Sequence, residues 1–225
     1  MRTSDFSNYL FRCSSLGRIM SGVKPNLTKK QEDLLSDLKE KQKINKITDS
    51  QIITLGKLIE QKKAKPKLST GAKSYLQDLH KREMTGRQDQ IRSKYLDKGI
   101  QVEEQSLTLY SKVYGKLLIK NKKRYTNEYL TGEPDNTQEI IRDIKSSWDI
   151  MTFPLYDEEV KNHDYLWQGQ GYMELTGLKM FELIYCLVDT PAPLIEDEKR
   201  RTAWKLALID LPQELEAEIV NNLTY

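Results

Sequence analysis

The chain has 225 residues, 38% of them hydrophobic and 31% charged, which suits one soluble domain with a sizeable core. No apolar run approaches membrane-spanning length, and the longest, Leu183-Ile184-Tyr185-Cys186-Leu187-Val188, suits a buried strand. The net charge is only +3, yet residues 1–125 hold 28 Lys and Arg against 13 Asp and Glu, while residues 126–225 hold 8 against 20. A basic half joined to an acidic half suits a polyanionic partner on one side. The N-terminus lacks the apolar region of a signal peptide, since Arg12, Arg18 and several serines interrupt it. Cys13 and Cys186 lie far apart without metal-ligand spacing and read as reduced thiols of a cytosolic protein.

From Asp5 to Ser21 the apolar residues Phe6, Leu10, Phe11, Leu16, Ile19 and Met20 predict a short helix after a turn, starting near Ser14. Arg12, Ser14 and Ser15 sit together there. They form either a plain helix cap or a phosphate pocket of hydroxyls and backbone amides with a bidentate arginine.

Lys24 to Lys67 predicts two helices, Leu27–Ile44 and Asp49–Lys65. The first opens on Thr28 with Gln31 three residues on, a capping-box pattern. Leu34, Leu35 and Leu38, then Ile52, Ile53, Leu55, Leu58 and Ile59, give each helix an apolar stripe. The Lys62–Lys67 connector is either a solvated loop or a patch that touches phosphate backbone without reading bases. Ser69–Met84 predicts a third helix, stopped by Thr85-Gly86-Arg87, and Gln88–Tyr114 a long fourth one. Gly99 inside the latter costs about 1 kcal/mol relative to alanine, a sign of close packing or ligand approach. Of Glu103 and Glu104, which face different directions, one can enter a site.

Beyond Gly115 the pattern predicts strands at Lys116–Lys120, Arg124–Leu130, Glu139–Ser146 and Lys179–Val188. A helix at Asn162–Thr176 separates the last two. On it Gln168 and Tyr172 share one face, four residues apart. Pro191 and Pro193 end the sheet, and helices near Asp197–Ala207 and Leu211–Asn222 close the chain.

The most informative stretch is Thr131–Ser147. The turn Gly132-Glu133-Pro134-Asp135 feeds the apolar run Ile140-Ile141, which ends in Asp143-Ile144-Lys145. On a strand Asp143 and Lys145 share one face and Ile144 takes the other. An acid beside a lysine on an apolar strand conflicts with core packing, and such conflicts concentrate at functional sites. With Asp135 delivered by the turn, the group reads as a magnesium site of Asp135, Asp143 and the Ile144 carbonyl, with a lysine beside it. Such a site activates water against phosphorus, and Lys145 orients that water and stabilises developing charge.

Taken in order, Gly99…Glu103, Gly132-Glu133-Pro134-Asp135, Asp143-Ile144-Lys145 and Gln168…Tyr172 resemble the motif series of the PD-(D/E)XK nucleases. Within them the chain looks most like the branch of lambda exonuclease, the YqaJ-type phage recombination exonucleases and the RecB nuclease domain. Arg12-Cys13-Ser14-Ser15 with Ile19-Met20 resembles the N-terminal serine segment of the phage enzymes. The likeness spans about residues 10 to 190. It implies an α/β fold in which a helical N-terminal part with a basic surface (1–90) precedes a catalytic core (91–190) and C-terminal helices (191–225). The core would be a mixed central sheet flanked by helices, the whole forming a single nuclease domain.

The resemblance further implies Mg²⁺, with Mn²⁺ as a substitute, and hydrolysis of DNA from duplex ends. Asp135 and Asp143 would ligate metal, Lys145 would position the nucleophile, and Glu103 would be the helix-borne acid, with Glu104 as the fallback. Gln168 and Tyr172 would support the site or contact the strand, and Ser14 with Arg12 would approach a terminal phosphate. A homo-oligomer, a single-strand annealing partner and a cytoplasmic location, that of the host cell for a phage protein, follow from the same likeness. The alternatives are a structure- or site-specific endonuclease on this core, or a DNA-binding protein on a decayed one.

The chain also departs from the pattern. Asp143 replaces the commoner Glu, Arg12 lies unusually close to Ser14, and the helices at 27–65 have no assigned counterpart. Two cysteines do not make the four-cysteine iron–sulfur site of some relatives.

Overall fold

The computed structural model describes residues 6–22, 26–65, 67–87, 93–157 and 159–225. Asp5, Lys24, Pro66 and the first residues of the predicted Gln88–Tyr114 helix lie outside the described residues. The chain packs as two compact units, Arg18–Lys81 and the combination of Met1–Gly17 with Arg82–Tyr225.

The smaller unit is helical. Helices α2 (Lys29–Lys43) and α3 (Asp49–Lys63) form a hairpin. Each opens on a threonine whose backbone N–H donates to a glutamine three residues on, Thr28 to Gln31 and Thr48 to Gln51. Leu35 and Leu38 of α2 meet Leu55 and Leu58 of α3 around Leu27. Leu34, Ile52 and Ile53, predicted for the same stripes, are exposed. Helix α4 (Thr70–Thr85) ends where Gly86 takes a left-handed backbone, as the Thr-Gly-Arg stop requires.

The larger unit is a mixed α/β layer structure. Strand β4 (Ile141–Ser146) lies parallel to β5 (Phe181–Cys186), with α7 (His163–Thr176) as the crossover between them. Ile141 packs with Tyr172 on the α7 side. Ile144 packs with Leu107 and Tyr110 of α6 (Glu103–Tyr114) on the opposite side. A second small sheet has the order β1 (Phe11–Arg12), β3 (Leu130–Gly132), β2 (Tyr125–Thr126), parallel then antiparallel. An antiparallel bridge between Asn136 and Arg142 ties the segment after β3 to β4. The mixed sheet is thus present as two small ladders.

Several boundaries differ from expectation for identifiable reasons. Lys116–Lys120 is not a strand. The Leu118 N–H donates to the Ser111 hydroxyl, the Ile119 N–H to Gln138, and the Ile119 carbonyl accepts from Asn136, so side chains take the place of a ladder. Arg124–Leu130 is broken at Asn127, whose side-chain oxygen accepts from the Tyr129 and Leu130 N–H groups and turns the chain. At the N-terminus β1 precedes a one-turn 3-10 helix, Cys13–Ser15, and a short helix α1 (Leu16–Met20). The long fourth helix divides at Val102 into α5 (Lys94–Gln101) and α6. A side chain at Gly99 would meet nothing within 4 Å, so close packing does not account for that glycine.

At the C-terminus α8 (Ala192–Lys205) starts directly after Pro191 and carries Pro193 in its first turn, where proline is tolerated. It packs with α9 (Gln213–Leu223) on Trp148. Beneath Trp148, Lys98 is fully enclosed and donates to the Trp148 carbonyl at 2.9 Å. Burial lowers its pKa to about 8, against the opposing pull of Asp149 and Asp189. A lysine whose folded pKa lies below its unfolded one penalises the fold while charged, and the penalty lifts between about pH 8 and 10.5. Denaturant melts should therefore show wild type gaining stability relative to Lys98→Met across that window, and a flat difference would contradict the burial argument.

Candidate active site

The expected carboxylates, lysine, glutamine and tyrosine come from α6, β4, α7 and the segment after β3. Asp143 and Lys145 extend from β4 toward α7, with Asp143 only 2% exposed and Lys145 Nζ 2.5 Å from Asp143 Oδ2. Apart from that ion pair, Asp143 Oδ2 accepts no hydrogen bond among the described residues. Its other oxygen accepts from Gln168 Nε2 at 3.1 Å, and the same amide donates to the Tyr172 hydroxyl at 2.8 Å. The helical spacing of Gln168 and Tyr172 thus becomes a relay that orients Asp143.

Asp135 is delivered after β3. Its Oδ2 accepts from the Ile144 N–H at 2.6 Å, which ties the turn to β4. The Asn121 N–H donates to the Asp135 carbonyl, and the Asn121 amide to the Pro134 carbonyl. Glu103 begins α6, and the break at Val102 sets its direction. It is close enough to Asp135 and Asp143 to raise both their pKa values, whereas Glu104 is exposed.

Burial, then the charge of Asp143, pushes the Asp135 pKa up to about 7, against the Ile144 N–H and Lys145. Burial also raises the pKa of Asp143, with Lys145 opposing. Burial raises the Tyr172 hydroxyl further, so it is a neutral donor and acceptor. Two acids crowded into low dielectric need positive charge, and Lys145 supplies part of it. Lys120 supplies more, its ammonium 2.7 Å from Glu103 Oε2 and within electrostatic range of Glu104 and Asp135.

Among the described residues no three His, Cys, Asp or Glu stand close enough to hold a metal ion unaided. Mg²⁺ asks for less: one or two carboxylates, with waters and substrate phosphate oxygens completing its shell. Asp143 Oδ2, held among the described residues only by the Lys145 ammonium, and Asp135, whose pKa burial and Asp143 raise, fit that demand.

The sequence reading missed several neighbours. Lys145 Nζ lies 4.8 Å from the centre of the Tyr165 ring, which packs edge-on against Tyr185. Tyr185 is the register partner of Lys145 on β5, which places it on the same face. Lys120 comes from an irregular segment with no periodicity to flag it. Arg12 and Ser14 line a cavity of about 220 Å³ together with Arg124, Glu133 and Tyr172. Ser15 does not line it.

Gly132 makes this arrangement possible. A Cβ there would lie 2.8 Å from the Cys13 sulfur and 2.8 Å from the Tyr172 ring. Gly132→Ala should destabilise the protein by about 1–3 kcal/mol through overpacking and loosen the hold of Gln168 on Asp143. A melting curve should show the loss, and an unchanged melting temperature would mean that Cys13 and Tyr172 give way to the added methyl.

No family model and no curated protein matches the sequence. Among solved structures, a phage-related exonuclease from Haemophilus somnus 129PT superimposes with a TM-score of 0.60 at 28% identity, covering 83% of this chain and 72% of that one. An alkaline exonuclease from Laribacter hongkongensis gives 0.49 at 15% identity, covering 95% and 91%. The fold is similar to that of the phage-related exonuclease, and the motif order is similar to that of the PD-(D/E)XK class. Within that class, the likeness is to the branch of lambda exonuclease and the YqaJ-type phage exonucleases.

Proposed function

We propose that this chain is a nuclease: a Mg²⁺-dependent DNA exonuclease that hydrolyses phosphodiester bonds from duplex ends, with Mn²⁺ as a substitute ion. The observation that carries the reading is the pairing of Asp143 and Lys145 on one face of β4, with Asp135 bonded to the Ile144 N–H and Glu103 in electrostatic range. Asp135 and Asp143 with the Ile144 carbonyl would hold the ion, with Glu103 in electrostatic range as the helix-borne acid beside it. When bound, it supplies Lewis-acid stabilisation of the phosphate and eases deprotonation of water.

The protein's own groups do the rest. Gln168 and Tyr172 hold the Asp143 carboxylate in one orientation. Lys145 orients the attacking water and stabilises charge that develops on the scissile phosphate. Arg12 and Ser14 take a terminal phosphate in the adjoining cavity, which shares Tyr172 with the carboxylate site. The exonuclease named among the solved structures supports this reading, as does the basic N-terminal half. Resection would leave single-stranded DNA for an annealing partner, and the enzyme would work as a homo-oligomer in the cytoplasm. Among the described residues no helix is long and apolar enough to cross a membrane.

The test sets end-labelled linear duplex beside covalently closed circular DNA, each with Mg²⁺ or EDTA. Metal-dependent loss of the linear form alone is the expected result. Cutting of the circle would make the protein an endonuclease, and binding without cleavage would indicate a decayed site.

A further inference from the structure

We infer that the Arg124–Glu133 pair is a latch on the terminal-phosphate cavity and sets how strongly phosphorylated DNA ends are preferred over hydroxyl ends. The inference rests on the exonuclease reading and concerns residues that the motifs do not assign.

Arg124 precedes β2 and Glu133 follows β3. The antiparallel register Tyr125↔Gly132 makes them the next pair across the hairpin. Arg124 NH2 lies 2.9 Å from Glu133 Oε2, and both side chains line the same cavity as Arg12 and Ser14. Arg12 pairs with no carboxylate among the described residues. The cavity wall thus carries two guanidinium groups and one carboxylate.

That carboxylate occupies the place a phosphate would take on Arg124. The pair is half exposed, 59% for Arg124 and 40% for Glu133, so water screens it and it opens at little cost. A terminal phosphomonoester brings more negative charge and can take a guanidinium through two parallel hydrogen bonds. It therefore displaces Glu133 from Arg124 and leaves the Glu133 carboxylate facing it. A hydroxyl end makes neither demand. Arg124 favours the phosphorylated end, Glu133 moderates that preference, and the ratio between ends reads their balance.

The backbone links this choice to cleavage. Asp135 is two residues beyond Glu133, and the Tyr172 hydroxyl that supports Gln168 reaches toward the Glu133 carbonyl at 3.5 Å. The end group held here lies beside the carboxylates that would act on the next phosphodiester.

The experiment uses the full chain and duplexes carrying phosphate or hydroxyl at either strand terminus. Two ratios are read for wild type, Arg124→Gln and Glu133→Gln. One is kcat/KM for phosphorylated over hydroxyl ends with Mg²⁺, and the other is the Kd ratio for the same duplexes in EDTA. Arg124→Gln should lower both ratios by about tenfold, the loss of a charge-assisted contact. Glu133→Gln should raise both severalfold. Ratios that stay at the wild-type value in both variants overturn the latch, as does a fall in Glu133→Gln. If wild type cleaves no DNA, the exonuclease reading fails while the binding ratio still decides the latch. Wild type that binds both ends equally, with neither variant changing this, overturns it too.

Discussion

Lys145→Ala should lose cleavage by a factor on the order of 100 to 1,000, the scale seen when one charge-stabilising donor is removed, while DNA binding persists. The side chain is one-quarter exposed, held between Asp143 Oδ2 at 2.5 Å and the face of Tyr165 at 4.8 Å. Its removal acts twice. The developing phosphate charge loses a donor, and Asp143 loses the group that most opposes the rise of its pKa. A protonated Asp143 is a poorer ligand for a cation, so the Mg²⁺ concentration that the proposed reaction needs should rise as well. Lys145→Arg keeps the charge, but its planar fork does not reproduce a compact ammonium, and it should recover only part of the activity. Single-turnover cleavage and binding in EDTA separate the two effects. Wild-type turnover by the alanine variant would remove Lys145 from the site.

Arg142→Ala should cost about 3 kcal/mol, because it removes a buried side chain and takes a donor from Asn136 Oδ1 and the Gln138 carbonyl. In a unit of this size that lowers the melting temperature by on the order of 10 °C. Arg142 is 4% exposed, on the β4 face opposite Asp143. It donates from Nε to Glu182 at 2.8 Å and from NH1 to Asn136 Oδ1 and the Gln138 carbonyl, with the Tyr110 ring 5.8 Å away. Asn136, fully buried, adjoins Asp135 and pairs with Arg142 through the backbone. The variant should therefore lose activity with stability, although Arg142 does not point toward the carboxylates. Glu182→Gln should cost less, because the Glu182 side chain is 38% exposed and water partly replaces the pair. Equal losses in both variants would mean that the pair itself, and not the Asn136–Gln138 turn, holds this region.

The residues alone carried several features that depend on local periodicity. Strand alternation put Asp143 and Lys145 on one face, helical spacing put Gln168 and Tyr172 on one face, and the Thr28–Gln31 box opened α2 where expected. These are properties of one segment and its own backbone. Other meetings between segments were not legible. Glu103 takes precedence over Glu104 because the chain breaks at Val102 and restarts α6 at Glu103. Lys120 reaches Glu103 from a stretch whose backbone groups bond to side chains, so no repeat announces it. Tyr185 stands beside Lys145, and Arg124 beside Glu133, only through strand register. Register and helix breaks follow from packing of residues far apart in the chain. The sequence therefore determined which side chains share a face, and the tertiary structure decided which faces meet.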